Sequence, residues 1–192
     1  MKKIAIFASG SGSNAQRIIE HFHNNDALSI EVSLVLTNNK KAYVIERAES
    51  LGVDCKVFDR ETFYNSSQIL EDLKEAKIDF IVLAGFLWLF PSSIIEHFER
   101  KILNIHPALL PKFGGKGMYG MNVHKAVVEA RETQTGITIH YVNNQYDEGQ
   151  IVFQATCEIE SMDSPEGVAN KVHELEYQYF PNIIEECVLG KR

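Results

Sequence analysis

The feature that most constrains this chain is a rhythm in which short apolar runs keep giving way to stripes of helical period. Residues 4–8 are apolar and stop at a Gly/Ser cluster. Ala15, Ile18, Ile19 and Phe22 then recur at the i, i+3, i+4, i+7 spacing of an amphipathic helix. Residues 32–36 repeat the run, and Val44, Ile45, Ala48 and Leu51 repeat the stripe, with Gly52 as its stop. The cycle continues through 53–58, then Ile69, Leu70, Leu73 and Ala76, then 80–84, a short helix after Pro91, and 102–105. The 80–84 run is almost wholly apolar, as expected of a strand covered on both faces. Such alternation predicts βαβ units, hence a parallel sheet wound with helices on both sides.

The rhythm then changes. Val123, Ala126, Val127 and Ala130 mark one more helix, but the strand-like runs 137–142 and 151–156 are separated only by Asn143 to Gln150. That is too short for a crossover helix, so this pair is expected to be antiparallel. Pro165 opens a long terminal helix along Val168, Ala169, Val172 and Leu175, which Pro181 is expected to kink or break. The expected fold class is therefore α/β: a single domain over residues 1–192, with a doubly wound, mostly parallel, Rossmann-like sheet. An antiparallel C-terminal strand pair and a long C-terminal helix complete it.

The formal net charge of −7, from 26 acidic and 19 basic residues, argues against a nucleic-acid partner, because phosphate backbones are held by Lys and Arg. A small anion held by backbone N–H groups remains compatible with an acidic chain. Cys55, Cys157 and Cys187 are far apart and form no C-x-x-C pair, which suits free thiols in a reducing cytoplasm. The run 4–8 is too short for a signal-peptide core, and the longest apolar stretch, 80–90, falls well short of the roughly 20 residues that span a bilayer. A soluble cytoplasmic protein with no membrane partner is expected.

Two segments carry chemistry. Ser9-Gly10-Ser11-Gly12-Ser13-Asn14 joins the first strand to the first helix, where glycines let backbone approach a ligand and a helix N-terminus offers unpaired N–H groups. Phosphate is the natural occupant; the structural alternative is a tight turn with Ser13 as helix cap. With Ala15 the loop also fits G-x-G-x-x-A, so a nicotinamide-dependent oxidoreductase has to be weighed. That reading calls for an acidic residue closing the second strand, where this chain has Leu36-Thr37-Asn38. The second segment is Leu103-Asn104-Ile105-His106-Pro107. Two apart on one strand, Asn104 and His106 share a face at the carboxyl edge of the sheet, and an amide beside a protonated imidazole is a donor pair for an oxyanion. A histidine merely satisfied by backbone at a strand end is the alternative. Asp147, in Tyr146-Asp147-Glu148-Gly149, reads either as turn chemistry or as a carboxylate folded over His106 that raises its pKa. No H-E-x-x-H or comparable spacing occurs, so no metal is expected.

The Gly-Ser-Asn loop, Leu83-Ala84-Gly85-Phe86, Asn104-Ile105-His106-Pro107-Ala108-Leu109-Leu110-Pro111, and residues 136–142 leading to Asp147-Glu148-Gly149 together resemble the folate-dependent formyltransferase family over essentially the whole chain. The loop and the single-domain length point to its phosphoribosylglycinamide formyltransferase (glycinamide ribonucleotide transformylase) branch. The resemblance implies a purine-biosynthetic transfer of formyl from 10-formyltetrahydrofolate, as cosubstrate, to the amine of 5'-phosphoribosylglycinamide, by a monomer or homodimer. It implies Asn104, His106 and Asp147 as catalytic residues. Asp147 would keep His106 protonated near neutral pH and order a water that relays a proton. By the same resemblance Gly12, Ser13, Asn14, Glu176 and, one turn earlier, His173 hold the substrate's phosphate and ribose. The pterin lies against Leu87, Trp88, Leu89 and Phe90, near Asn104 and the loop of Asn143 and Asn144, mostly through backbone groups, with Arg60 toward the folate glutamate. Leu110-Pro111 is implied to be cis; residues 114–120, longer and richer in glycine than in many relatives, read either as a mobile loop over the site or as a tolerated surface insertion. A phosphate-ligand sensor that keeps the fold without catalysis is a further alternative.

Overall fold

A computed structural model describes residues 1–25 and 28–192. In chain order its elements are β1 (Lys2–Phe7), α1 (Ser13–His23), β2 (Ile30–Thr37), α2 (Val44–Ser50), β3 (Cys55–Val57), α3 (Arg60–Asn65), α4 (Gln68–Glu75), β4 (Phe80–Leu83), α5 (Ser92–His97), β5 (Ile102–His106), α6 (Met121–Glu129), β6 (Gln134–Tyr141), β7 (Ile151–Glu158) and α7 (Pro165–Val188). Among the described residues the strands form one seven-stranded sheet in the order β3-β2-β1-β4-β5-β6-β7. The first five run parallel; β6 is antiparallel to both β5 and β7. The doubly wound, mostly parallel architecture with an antiparallel end agrees with the fold class read from the sequence. The relation of β6 to β5 is additional.

Each strand's two-residue period divides the core. Ile4 and Ile6 of β1, with Val82 and Leu103, face Ala15, Ile18 and Phe22 of α1 and Val168, Val172 and Phe180 of α7. Ala5 and Phe7, with Ile81 and Leu83, face Phe63, Ile69, Leu73 and Ile94 on the opposite side. Burying both faces is why these strands read as continuous apolar runs.

Three local features differ from the sequence expectation. Helix α3 was not anticipated. It begins at Asp59, whose carboxylate accepts the Thr62 N–H at 2.8 Å, but it buries only Phe63, so no apolar stripe announces it. Helix α7 runs unbroken through Pro181. One backbone bond is lost there, but Phe180, Pro181, Ile183 and Ile184 are all buried, and packing outweighs the missing N–H. The cap of α1 is Gly12 in the left-handed region (φ 73°), not Ser13, and no side chain caps the helix. A β-carbon at Gly12 would collide with Val44. The loop thus keeps bare backbone at the start of α1.

In the order β2-β1-β4-β5 the chain passes from β1 to β2 on one side and from β4 to β5 on the other, so the loops after β1 and β4 part and open a crevice at the strands' carboxyl ends. Ser9 ties them together: its N–H donates to the Gly85 carbonyl at 3.0 Å and its Oγ accepts from the Leu87 N–H at 3.1 Å. The Leu110–Pro111 peptide is cis. Among the described residues no helix is long and apolar enough to cross a membrane.

Gly136 lies where β6 passes β7, and a β-carbon there would overlap the Ala155 carbonyl. Gly136→Ala is therefore expected to cost about 2 kcal/mol, the scale of core overpacking, measurable as a lower urea midpoint. An unchanged midpoint would contradict the register.

Candidate active site

A cavity of about 610 Å³ occupies that crevice, walled by the β1 loop, residues 84–87 after β4, residues 104–107 at the end of β5, and a strap of residues 115–120 before α6. His124 of α6, Tyr146 and Asp147 of the β6–β7 connection, and His173 and Glu176 of α7 complete the wall.

Asp147 is the meeting point. Its backbone is left-handed (φ 56°), a conformation aspartate tolerates at some cost, and this aims its carboxylate inward. One oxygen, Oδ2, accepts the Gly115 N–H at 2.9 Å and stands 3.5 Å from His106 Nδ1. The other, Oδ1, lies 3.4 Å from Asn104 Nδ2 and 3.6 Å from His140 Nε2. Burial would raise the pKa of this carboxylate. The His140 and His106 rings and the Gly115 N–H outweigh burial and hold it below the ordinary carboxylate range.

Hydrogen-bond partners set the ring tautomers. His106 Nε2 sits 2.8 Å from the Phe113 carbonyl, which can only accept, so Nε2 carries the proton and Nδ1 is the nitrogen left facing Asp147. His140 Nδ1 likewise meets the Tyr141 carbonyl at 2.9 Å, leaving Nε2 to accept from the Asn104 amide at 3.0 Å. Asn104 and His140 are direct cross-strand partners in the β5–β6 register. His106 is 3% exposed, and burial pulls its pKa below the ordinary value, although Asp147 and the Phe113 carbonyl pull it back up. This direction runs against the expectation that Asp147 keeps His106 protonated near neutral pH. At 3.5 Å the carboxylate offsets only part of the desolvation penalty.

At the other end of the cavity, Asn14 donates to the Glu176 carboxylate at 2.8 Å. Glu176 is 5% exposed, and burial raises its pKa against the opposing pulls of Asn14 and His173. His173 stacks on Tyr177 at a 19° interplanar angle and meets the edge of His124. The first N–H groups of α1 lack intrahelical acceptors and face this end, where an anion is favoured.

The structure thus brings Gly12, Ser13, Asn14, Leu87, Asn104, His106, Asp147, His173 and Glu176 to one cavity. Arg60, Trp88, Leu89, Phe90, Asn143 and Asn144 lie outside its lining. Phe90 is committed to the core, edge-on to Phe7 at 4.9 Å. Arg60 lies over the rings of Tyr64 and Trp88, and the Leu89 carbonyl accepts from Tyr64. Asn143 closes a turn onto the Gln145 N–H, and Asn144 is exposed. Sequence reasoning gave His140, Tyr146 and His124 no role in the site and placed Lys116 there only as part of the 114–120 loop. Only the cross-strand pairing with Asn104 singles out His140. At the end of β2, where a dinucleotide site calls for an acid, the structure has buried Thr37, then Asn38 and Asn39. Among the described residues no cluster of three or more His, Cys, Asp or Glu could hold a metal.

Comparison with known proteins gives a consistent result. A sequence profile of the formyl transferase family, "Formyl transferase", matches residues 2–184. A chloroplastic phosphoribosylglycinamide formyltransferase of Arabidopsis thaliana is 39% identical over 95% of this chain, and the chain spans 64% of that relative's length. A phosphoribosylglycinamide formyltransferase of Haemophilus influenzae is 38% identical over 100% of the chain and 89% of its own length. The crystal structure of phosphoribosylglycinamide formyltransferase from Bacillus halodurans superposes with a TM-score of 0.88 at 34% identity, covering 100% of this chain and 97% of that one.

A ¹⁵N NMR titration of the imidazoles should find Nδ1 of His106 protonating only below pH 6.5, and lower still in Asp147→Asn, which removes the charge that opposes burial. A His106 pKa at or above 7 would contradict this. His124 is 2% exposed, and burial, with His173 and His106 nearby, pushes its pKa down to about 4. The unfolded chain takes up this proton near 6.5, so its contribution to stability is intact above that pH and is lost as pH falls toward 4. The drop in Tm between pH 7 and 5 should be smaller in His124→Gln than in the parent chain.

Proposed function

The chain belongs to the formyl transferase family, and from that premise we propose that it transfers the formyl group of 10-formyltetrahydrofolate to the amine of 5'-phosphoribosylglycinamide, a step of de novo purine biosynthesis. The observation that carries this reading is the convergence of Asn104, His106 and Asp147 on a cavity whose far end is the Gly-Ser-Asn loop. That arrangement suits a substrate with a phosphate at one end and a reacting amine at the other.

The uncharged amine attacks the formyl carbon, forming a C–N bond and placing negative charge on the formyl oxygen. The Asn104 amide meets that oxygen by exchanging its long 3.4 Å contact with Asp147 for a charge-assisted hydrogen bond. The amine must lose a proton. Nδ1 of His106 takes it, directly or through a water ordered by Asp147, and becomes an imidazolium beside the carboxylate. The same proton passes to N10 as the C–N10 bond breaks, giving tetrahydrofolate and the formylated amide. A neutral resting His106 is thereby useful: it is ready to accept, and Asp147 makes the transient cation less costly. No covalent enzyme intermediate forms, and none of the cysteines has a chemical role.

Gly12, Ser13, Asn14, His173 and Glu176 bind phosphate and ribose; the buried Glu176 faces a sugar hydroxyl. The pterin lies along the backbone of residues 87–90 and the 143–147 loop, with Arg60 toward the glutamate tail. The unit is residues 1–192 as one domain, working in the cytoplasm as a monomer or homodimer on small molecules, with no nucleic-acid partner.

Asn104→Ala and His106→Ala should each lower kcat by about 10²–10³ while KM moves only a few-fold, because the oxyanion that Asn104 meets and the proton that His106 takes appear only near the transition state. Asp147→Asn should lose most turnover and still unfold cooperatively. The assay is the absorbance change on folate deformylation. Near-normal turnover in both Asn104→Ala and His106→Ala would remove the assignment. Saturable NAD(H) binding without a response to the ribonucleotide would favour an oxidoreductase, and ribonucleotide binding without transfer a sensor.

A further inference from the structure

The cavity has an imbalance of charge. Lys116 is the only Lys or Arg among its lining residues, whereas Asp147 and Glu176 are both carboxylic acids. The helix terminus and glycine-loop N–H groups supply the equivalent of about half a positive charge, against a phosphate monoester that brings close to two negative ones. Arg47 is near the loop but turned away from the cavity: its Nε donates to the Ser11 carbonyl at 2.9 Å and its other arm is held by Gln16. Without Lys116, the wall holds no permanent positive charge to meet the ligand.

We propose that Lys116 is the cation that grips the substrate's phosphate and sets the preference for a phosphorylated acceptor, an inference that rests on the formyl-transfer reading above. Lys116 and the Gly-Ser-Asn loop line one cavity, and two further observations leave its charge available there. The Lys116 ammonium has no ion pair or hydrogen bond among the described residues, in contrast to Lys112, which is paired with Glu132 at 2.8 Å. The strap around it is tethered on both sides: the Gly115 N–H donates to Asp147 at 2.9 Å, and the Gly117 carbonyl accepts from Asn122 at 3.2 Å. Gly115 and Gly117 both hold positive φ (93° and 91°), so the strap bends sharply on either side of Lys116. Lys116 therefore lines the cavity as an exposed residue whose charge stays free for a ligand. A lysine is a compact, rotatable point charge, suited to a phosphate that arrives from solvent.

The test compares Lys116→Ala, Lys116→Arg and the control Lys112→Ala in the full chain. Transfer is measured with phosphoribosylglycinamide and with its dephosphorylated riboside, and ribonucleotide Kd by calorimetry. Lys116→Ala should raise both KM and Kd for the ribonucleotide about 10- to 100-fold, with kcat within about threefold. Lys116→Arg should recover most of that loss, and Lys112→Ala should show none. The riboside should be equally poor with parent and Lys116→Ala chains, and rising salt should weaken ribonucleotide binding more in the parent. An unchanged ribonucleotide Kd in Lys116→Ala, or equal losses for ribonucleotide and riboside, would overturn the role of Lys116 while leaving formyl transfer standing. Absence of transfer by the parent chain would overturn the parent reading instead, and the calorimetric comparison would still decide whether Lys116 grips the phosphate.

Discussion

The buried carboxylate of Asp147 is the contact around which this cavity is organised. It joins three parts of the chain that are distant in sequence: the end of β5 through His106 and Asn104, the strap through Gly115, and β6 through His140. A charge at this depth is tolerable only if it is surrounded by donors and potential cations. The same neighbours that make it tolerable are the groups the proposed chemistry uses. Stability and function here draw on one set of contacts, which is why the left-handed backbone of Asp147 persists at a site where a relaxed turn would have been easier to form.

The sheet explains how these groups come together. Its parallel half places the ends of β1 and β4 side by side and opens the crevice, with bare backbone from Ser9 to Gly12 on one side. Its antiparallel end lets β6 run back along β5, so that His140 lies opposite Asn104 and the β6–β7 connection returns Asp147 to the strand edge. A purely parallel continuation would carry the chain into a crossover helix instead. The change of strand direction thus brings a carboxylate to a strand edge that already carries an amide and an imidazole.

Much of the fold was legible because both periods were clear. Apolar runs such as 80–84 and stripes such as Ala15, Ile18, Ile19 and Phe22 correspond to buried strands and a buried helix face. Helix α3 escaped because one buried phenylalanine makes no stripe, and Pro181 misled because propensity yields to packing in a long buried helix. In the cavity, Asn104 and His106 were legible as a pair from strand alternation alone. The approach of Asp147 and the placement of His140 depend on strand order, which no local pattern encodes. For His106, sequence shows a charge partner but not the depth of burial that opposes it. Phe90 of the aromatic segment 88–90 points its ring into the core, which an apolar run alone does not show.

The most direct test of this account is a crystal structure with a bound multisubstrate mimic that carries a hydrated aldehyde in place of the tetrahedral carbon. The account requires one of its hydroxyl oxygens to lie about 2.7–3.1 Å from Asn104 Nδ2 and the nitrogen in the amine's place to reach His106 Nδ1 directly or through one water, with Asp147 still against the imidazole and the phosphate at the Gly-Ser-Asn loop. A hydroxyl pair turned to solvent, with Asn104 and His106 still bound only to His140 and Phe113, would contradict it.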